Sequence, residues 1–299
     1  MSVTILRTGP LTVLKDAGRP GRAGQGVAPS GAVDRAAYAR ANALVGNPPG
    51  LAVLECTLGG LRIRFDAPAV IALTGTDAVL TVDGVRTGID EVVRVDAGAE
   101  VGVTVPRAGL RSCLAVRGGF DVPPVLGSRS TDQLGIGPAK PAAGDVLPIG
   151  PPGTVPPIGP PAEAGPSAGP PAEAGAGEPL DVDLGPRDDW FTAEAVRTFL
   201  SAEYTVTPAS NSVGLRLDGP PLARARTEEL PSEGVVRGSV QVPPDGRPIV
   251  FQADHPVTGG YPVAAVVVAA DVDRAAQARP GQAVLIRLLH RPDAAVNPR

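Results

Sequence analysis

Lysine is nearly missing from this chain: Lys15 and Lys140 are the only two among 27 Lys and Arg residues, and the bias towards arginine reads as base composition. Histidine is equally scarce. With only His255 and His290 present, a site built from three protein histidines is excluded by counting. Cys56 and Cys113 are too few for a four-cysteine zinc site and read as buried small hydrophobes, so no protein-built metal centre is expected. One Trp, one Met and an aromatic share of 3% leave Val, Ala and Leu to fill the core, and β-branched valine packs best on a pleated surface. The formal net charge is −4 and there is no dense basic block, which argues against nucleic acid or an anionic membrane as partner. No apolar run approaches the ~20 residues that span a bilayer, and "MSVTILRTGPLTVLKDAG" has no secretory apolar core. The expectation is a soluble, cytoplasmic protein.

Two familiar catalytic signatures are also absent. There is no G-x-x-x-x-G-K-[ST] loop to cradle phosphate on backbone N–H groups. There is no G-x-S-x-G either, since Ser30 stands in "APSGA" and Ser239 in "RGSVQ".

What the chain does have is turns. Its 38 glycines and 35 prolines supply the dihedrals that many short strands need between them. "LRIRF" (Leu61 to Phe65), "VIALTG" (Val70 to Gly75), "AVLTVDGV" (Ala78 to Val85), "VGLRLDG", "GSVQVPPDG", "PIVFQAD" and "PVAAVVVAA" alternate or run apolar and end in Gly, Asp or Pro, as short strands do. "PPDG" from Pro243 reads as a hairpin turn. Helices are few. "AVDRAAYARANALVGNPP" predicts one, with Asp34 as N-cap, apolar Ala37, Ala41, Leu44 and Val45 at helical spacing, and Gly46-Asn47 ending it. "DDWFTAEAVRTFLSA" (Asp188 to Ala202) predicts a second with acidic residues at its start, and "DVDRAAQARPG" a third stopped by Pro280-Gly281.

Between two strand-rich segments runs "GPPGTVPPIGPPAEAGPSAGPPAEAGAGEP", Gly150 to Pro179, which has almost nothing to bury and reads as an extended linker. The division predicted is a domain over 1–149, a linker over 150–179 and a domain over 180–299, with exchange of segments between the halves allowed. Both domains are expected to be barrels or sandwiches capped by a few helices.

Polar loops interrupt this apolar text. "KDAGRPG" and "VAPSGAVD" carry Asp16, Arg19, Ser30 and Asp34. "LPSEGVVRGSVQVPPDGRPI" carries Ser232, Glu233, Arg237, Gln241 and Asp245, and "FQADHPVTGGYPV" carries Asp254, His255, Thr258, Gly259, Gly260 and Tyr261. Asp or Ser beside Gly and Pro is first of all a turn residue. Glu233 is read either as a cross-strand partner for an arginine or as a functional carboxylate. His255 precedes a proline and is read as a structural residue facing solvent. Gly259-Gly260 would let backbone approach a ligand closely.

Taken in order, "KDAGRPGRAGQGVAPSGAVDRAAYARANALVGNPPGLAVLECTLGGLRIRF", "AVRGGFDVPPVLGSRSTDQLG", "DDWF", "ELPSEGVVRGSVQVPPDGRPIV" and "ADHPVTGGYPVAAVV" resemble the motifs of the family formed by the C subunits of 5-oxoprolinases. That family is also described as biotin-dependent carboxyltransferase-like, allophanate hydrolase subunit 2-like or KipI antagonist proteins. Lys15 stands where the family usually has Gln, Arg22-Ala23 where it has an aromatic, and Ser210–Gly214 lacks an arginine that would help Ser212 hold an anion.

The resemblance implies a mainly β fold of two tandem cyclophilin-like β-barrel domains with a few short helices. It also implies an ATP-dependent amide hydrolase that, together with the A and B subunits of 5-oxoprolinase, cleaves the lactam 5-oxoproline to glutamate. On that reading Glu233, Gln241, Asp254, Thr258, Gly259, Gly260 and Tyr261 line a cleft for substrate or nucleotide, with Asp16 and Arg19 opposite. Asp254 or Glu233 would be the catalytic base, or the carboxylate that holds Mg²⁺ beside phosphate. Two alternatives stay open: the carboxyltransferase part of a biotin-dependent urea or amide carboxylase, and a non-enzymatic antagonist of a kinase inhibitor.

Overall fold

Short apolar segments punctuated by glycine build the first half. The computed structural model describes residues 1–88, 90–154 and 178–289. Most of the Pro/Gly-rich stretch and His290 lie outside these residues.

In chain order the first half contains β1 (Ser2–Thr8), β2 (Leu11–Lys15), α1 (Arg35–Leu44), β3 (Val53–Thr57), β4 (Leu61–Phe65), β5 (Ala69–Thr74) and β6 (Leu80–Val82). It continues with β7 (Val85–Arg86), β8 (Val93–Val95), β9 (Glu100–Val103), β10 (Arg111–Val116) and β11 (Val146–Pro148). One sheet runs β11-β1-β4-β9-β6-β7 and the other β2-β3-β10-β5-β8. Their inner faces enclose one core, in which Val3, Ile5, Ile63 and Val101 meet Leu54, Ile71, Leu73 and Leu114. "LRIRF" shows why: Leu61, Ile63 and Phe65 turn inwards while the arginines between them stay exposed, the period of a strand with one wet face.

The predicted first helix forms as read. Asp34 caps it by accepting from Ala37 N at 2.9 Å, and Gly46 follows its end at φ 70°. Ala37, Tyr38, Ala41 and Leu44 pack on Ala72, Cys113 and Ala115, and Cys56 lies in the core between the sheets. Both cysteines are therefore buried small hydrophobes.

The second half begins with β12 (Leu180–Leu184), α2 (Ala193–Phe199), β13 (Glu203–Val206), β14 (Gly214–Asp218), β15 (Glu233–Gly234) and β16 (Ser239–Gln241). It ends with β17 (Ile249–Phe251), β18 (Thr258–Gly259), β19 (Val263–Val267), α3 (Ala269–Ala275) and β20 (Ala283–Leu288). Seven strands form a closed barrel in the order β12-β19-β16-β17-β14-β13-β20, sealed by the parallel pairing of Leu180 with Ile286. Closure leaves no exposed barrel edge. The "PPDG" turn joins β16 to β17, with Gly246 N donating to Pro243 O at 3.0 Å. The mainly β architecture, with three helices and a barrel among the described residues, agrees with the expectation from sequence.

Two helix boundaries differ from that expectation. Asp188–Trp190 form a separate 3-10 turn, and α2 starts only after Thr192, whose hydroxyl accepts from Ala195 N. A threonine cap on the next turn outcompetes the acidic pair upstream. α3 ends at Ala275, ahead of Pro280-Gly281, because Gln277 and Arg279 turn out of the helical path to bond the first half.

The halves share a tight polar seam. Gln277 Oε1 accepts from Leu110 N and Arg111 N, and its Nε2 donates to Asp34 Oδ2 and Arg111 O. Arg279 donates to Pro106 O and Gly109 O, and Arg237 to Val33 O. Beneath them Val33, Ala253 and Ala276 form a small dry cluster.

Burial pushes the Asp34 carboxyl from 3.8 up to about 6, outweighing the Ala37 N–H and Gln277 amide that favour its charge, with Asp273 and Glu55 adding repulsion. Because the folded value is the higher one, the native state binds the proton more readily between about pH 4 and 6, so this group's contribution to stability grows as pH falls through that window and is lost as pH rises. Asparagine caps a helix as well as aspartate does. Asp34→Asn is therefore expected to remove about 2 kcal/mol of pH-dependent difference between pH 4 and 7, read from urea unfolding at both pH values.

Candidate functional site

Lys15 ends β2, and Asp254 lies in the loop after β17; the fold sets them against each other across the seam. Lys15 Nζ lies 3.3 and 3.2 Å from the two oxygens of Asp254, and Ser30 Oγ donates to Oδ1 at 2.6 Å. Lys15 and Asp254 are each 2% exposed and Ser30 1%. A buried carboxylate needs such partners, because desolvation of an unpaired charge costs several kcal/mol. The Asp254 backbone is pinned as well, its N–H donating to Ser212 O at 2.8 Å.

The loops that carry this cluster are held by hydrogen bonding of local polar residues. Asp16 accepts from Gly18 N, Ser128 Oγ, Arg129 N and Ser130 Oγ at 2.5–2.7 Å. Those donors occupy its carboxylate, so Asp16 ties the "KDAG" loop to "GSRS". Residues 15–19 run beside 29–32, with Arg19 N donating to Pro29 O and Ala32 N to Asp16 O. Gly18 is required there: at φ 83° a Cβ would come within 2.5 Å of Pro29 O. Ser30 itself sits at φ 53°, an uncommon conformation for a side chain with a Cβ that delivers its hydroxyl to Asp254.

Arg19 Nη2 bridges Ser130 O and Asp132 Oδ2, both at 2.9 Å, while Nε and Nη1 have no partner among the described residues. Burial alone would raise the Asp132 carboxyl, but the N–H of Ile136, Arg19 and the N–H of Gly137 hold it below the usual range.

Lys15 and Asp254 open onto a cleft of about 460 Å³ between the halves, also lined by Glu55, Arg111, Thr131 and Gln252. Its charges are largely matched already: Lys15 by Asp254, Asp132 by Arg19, and Glu55 by Arg111 at 3.9 Å. Lys140 at the rim is exposed and forms no ion pair with the described residues. This complement fits a small polar group bearing at most one carboxylate. It does not fit a triphosphate, which needs several free cations or N–H groups. A smaller hollow of about 280 Å³ beside Arg7 and Arg62 has its Arg62–Glu100 pair closed on itself.

The other sequence candidates stand apart from this cleft. Asp16, Arg19, Glu233, Gln241, Thr258, Gly259, Gly260 and Tyr261 are absent from its lining. Glu233 binds Arg187 through two bonds, one of 3.0 Å from Nε and one from Nη2, and the Arg187 hydrogen bond holds its carboxyl below the usual range. It is an arginine's partner, and it pairs in β15 with Gly259 of β18. Gln241 Nε2 donates to Tyr261 O at 3.0 Å, and a Cβ on Gly259 would fall 2.3 Å from that nitrogen. Tyr261 is 44% exposed. Glu233→Gln is expected to leave the urea unfolding midpoint close to that of wild type, because surface pairs contribute little; a clear drop in that midpoint would make the Arg187 pair a structural anchor.

His255 does not face solvent. It is buried and stacks on Phe251 with centroids 6.1 Å apart. Its Nδ1 bonds Pro256 O at 2.7 Å, and burial lowers its pKa. Lys15 is a cleft residue that motif reading misses. A signal for it exists: in a chain whose positive charge is nearly all arginine, both lysines line this cleft.

With this geometry in hand, comparison with known proteins defines the class. A model of the carboxyltransferase domain, subdomain A and B, matches residues 25–288, and the chain belongs to that family. It is 36% identical over 284 residues to the C subunit of 5-oxoprolinase from Escherichia coli, covering 94% of this chain and 89% of that protein. It is 32% identical to the urea amidolyase of Lachancea kluyveri over 92% of this chain but only 16% of the longer protein. The crystal structure of Kluyveromyces lactis urea carboxylase superposes with a TM-score of 0.87 at 29% identity, over 97% of this chain and 27% of that one.

Proposed function

We propose that this chain is the C subunit of a 5-oxoprolinase, which with the A and B subunits opens 5-oxoproline to glutamate at the expense of ATP in the cytoplasm. The match to the C subunit of a known 5-oxoprolinase, 36% identical over 94% of this chain, carries this reading, and it is favoured over a urea carboxylase part because the urea amidolyase relative is more distant, at 32% identity. No helix among the described residues is long and apolar enough to cross a membrane, which accords with the assignment.

The cleft supports the chemistry from this chain's side. A lactam carbonyl is a poor electrophile, and ATP supplies the driving force when it is bound. The charge complement of the cleft favours binding of the nucleotide and its Mg²⁺ by the partner subunits. Asp254 offers the proton-accepting carboxylate. Lys15 puts an ammonium where negative charge develops on the opening amide. Ser30 orients Asp254, and Lys140 at the rim is available to meet the substrate's own carboxylate.

The test is ATP-dependent glutamate release from 5-oxoproline by this protein, alone and with the A and B subunits. Release only by the mixture is the expected result. Its absence from a folded, associated mixture would favour carboxyl transfer to another amide.

A further inference from the structure

The cleft contains a buried side chain with nothing to bond. Gln252 is 1% exposed, yet neither its Oε1 nor its Nε2 has a hydrogen-bond partner among the described residues. Thr131 Oγ1, from the opposite half, is unpartnered in the same cleft. Leaving a buried amide unsatisfied costs about 1–3 kcal/mol per group, a cost that natural proteins seldom carry without an ordered water, an ion or a ligand to meet it, and here the group lines a cleft.

The neighbouring backbone explains how the side chain is held. Gln252 N donates to Val213 O at 2.9 Å, and its carbonyl accepts from His255 N at 3.3 Å. Ala253 buries against Val33 and Ala276. Gln252 and Asp254 therefore both open onto the cleft, two positions apart, while the residue between them anchors the strand end.

We infer that Gln252 is the specificity-determining residue of the cleft, reading a cis-amide edge of the ligand. A primary carboxamide presents one acceptor and one donor side by side. Its complement is a group with an N–H and a C=O on the same edge, as in a small lactam or a urea. A trans peptide, a phosphate or a saturated amino acid lacks that edge. This inference rests on the 5-oxoprolinase reading for the identity of the ligand, but it depends on the geometry alone for the chemical class. Thr131 supplies a further hydroxyl to the same ligand.

The experiment titrates the full-length protein, alone and assembled with the A and B subunits, with three probes: 5-oxoproline, its lactone analogue in which ring oxygen replaces N–H, and urea. Wild type is compared with Gln252→Met, which keeps the side-chain length and removes both polar atoms. Wild type is expected to prefer lactam over lactone by at least about tenfold, and the variant to lose roughly 10- to 100-fold in lactam affinity together with that preference. The thermal midpoint of the unliganded variant should equal or exceed that of wild type, since two unsatisfied groups have gone.

Lactam affinity unchanged by Gln252→Met would overturn the inference and leave the proposed function standing. Gln252-dependent binding of urea without lactam binding would do the reverse. A clear drop in thermal midpoint would make Gln252 a structural residue and overturn the inference, as would failure of wild type to bind any of the probes in either state.

Discussion

Asp254→Asn is expected to reduce glutamate release by the assembled subunits by about 10²- to 10⁴-fold, the usual size of a lost general acid or base. The substitution keeps the side chain's shape and its ability to accept from Ser30 Oγ, 2.6 Å away. It removes the group that takes up a proton, so the loss should fall on kcat more than on KM. Steady-state kinetics of the reconstituted complex, with circular dichroism to confirm folding, decides the matter. Activity within about threefold of wild type would dismiss Asp254 as the base and move attention to Glu55, another buried carboxylate of the cleft.

The second large effect is on stability. Removing either partner of the Lys15–Asp254 pair alone is expected to cost about 3–5 kcal/mol, because the survivor is left charged and desolvated. Removing both, as Lys15→Met with Asp254→Leu, should recover most of that loss, giving a coupling energy of several kcal/mol in a double-mutant cycle. Urea unfolding followed by the lone tryptophan is the natural readout, since Trp190 is buried in the core of the second half. A coupling below about 1 kcal/mol would mean that cleft water relieves the charges, as it does for surface pairs. The activity of the double variant should stay as low as that of Asp254→Asn, which separates the pair's structural effect from its chemical one.

Local signals in the sequence are legible wherever one turn of chain determines the outcome. The Asp34 cap, the glycine after α1, the "PPDG" hairpin and the alternation of "LRIRF" each depend on residues within a few positions of one another, and each appears in the structure where the sequence predicts it. The start of α2 is not legible in the same way. Both "DD" and Thr192 are valid caps, and packing of Trp190 and Phe191 into the barrel core selects the later one.

The site is legible in part. Asp254 stands out as a carboxylate in a glycine-flanked loop, but its partner lies 239 positions away, and no local pattern carries that pairing. Glu233 and "TGGY" look equally suited to a ligand. In the fold Glu233 is taken up by Arg187, the Tyr261 carbonyl accepts from Gln241, and β15 and β18 form a small ribbon of their own. Gln252 has no mark in the sequence at all, since what distinguishes it is the lack of a neighbour in three dimensions.

The polar seam between the halves also bears on how such a chain can change over generations. The Pro/Gly-rich stretch at the junction looks like an easy place to exchange one half for that of a relative. Yet Lys15 must find Asp254, Asp34 must find Gln277, and the Pro106 and Gly109 carbonyls must find Arg279. A chimera joined at that stretch would inherit mismatched partners on both sides of the cleft, so these halves are constrained to be inherited together.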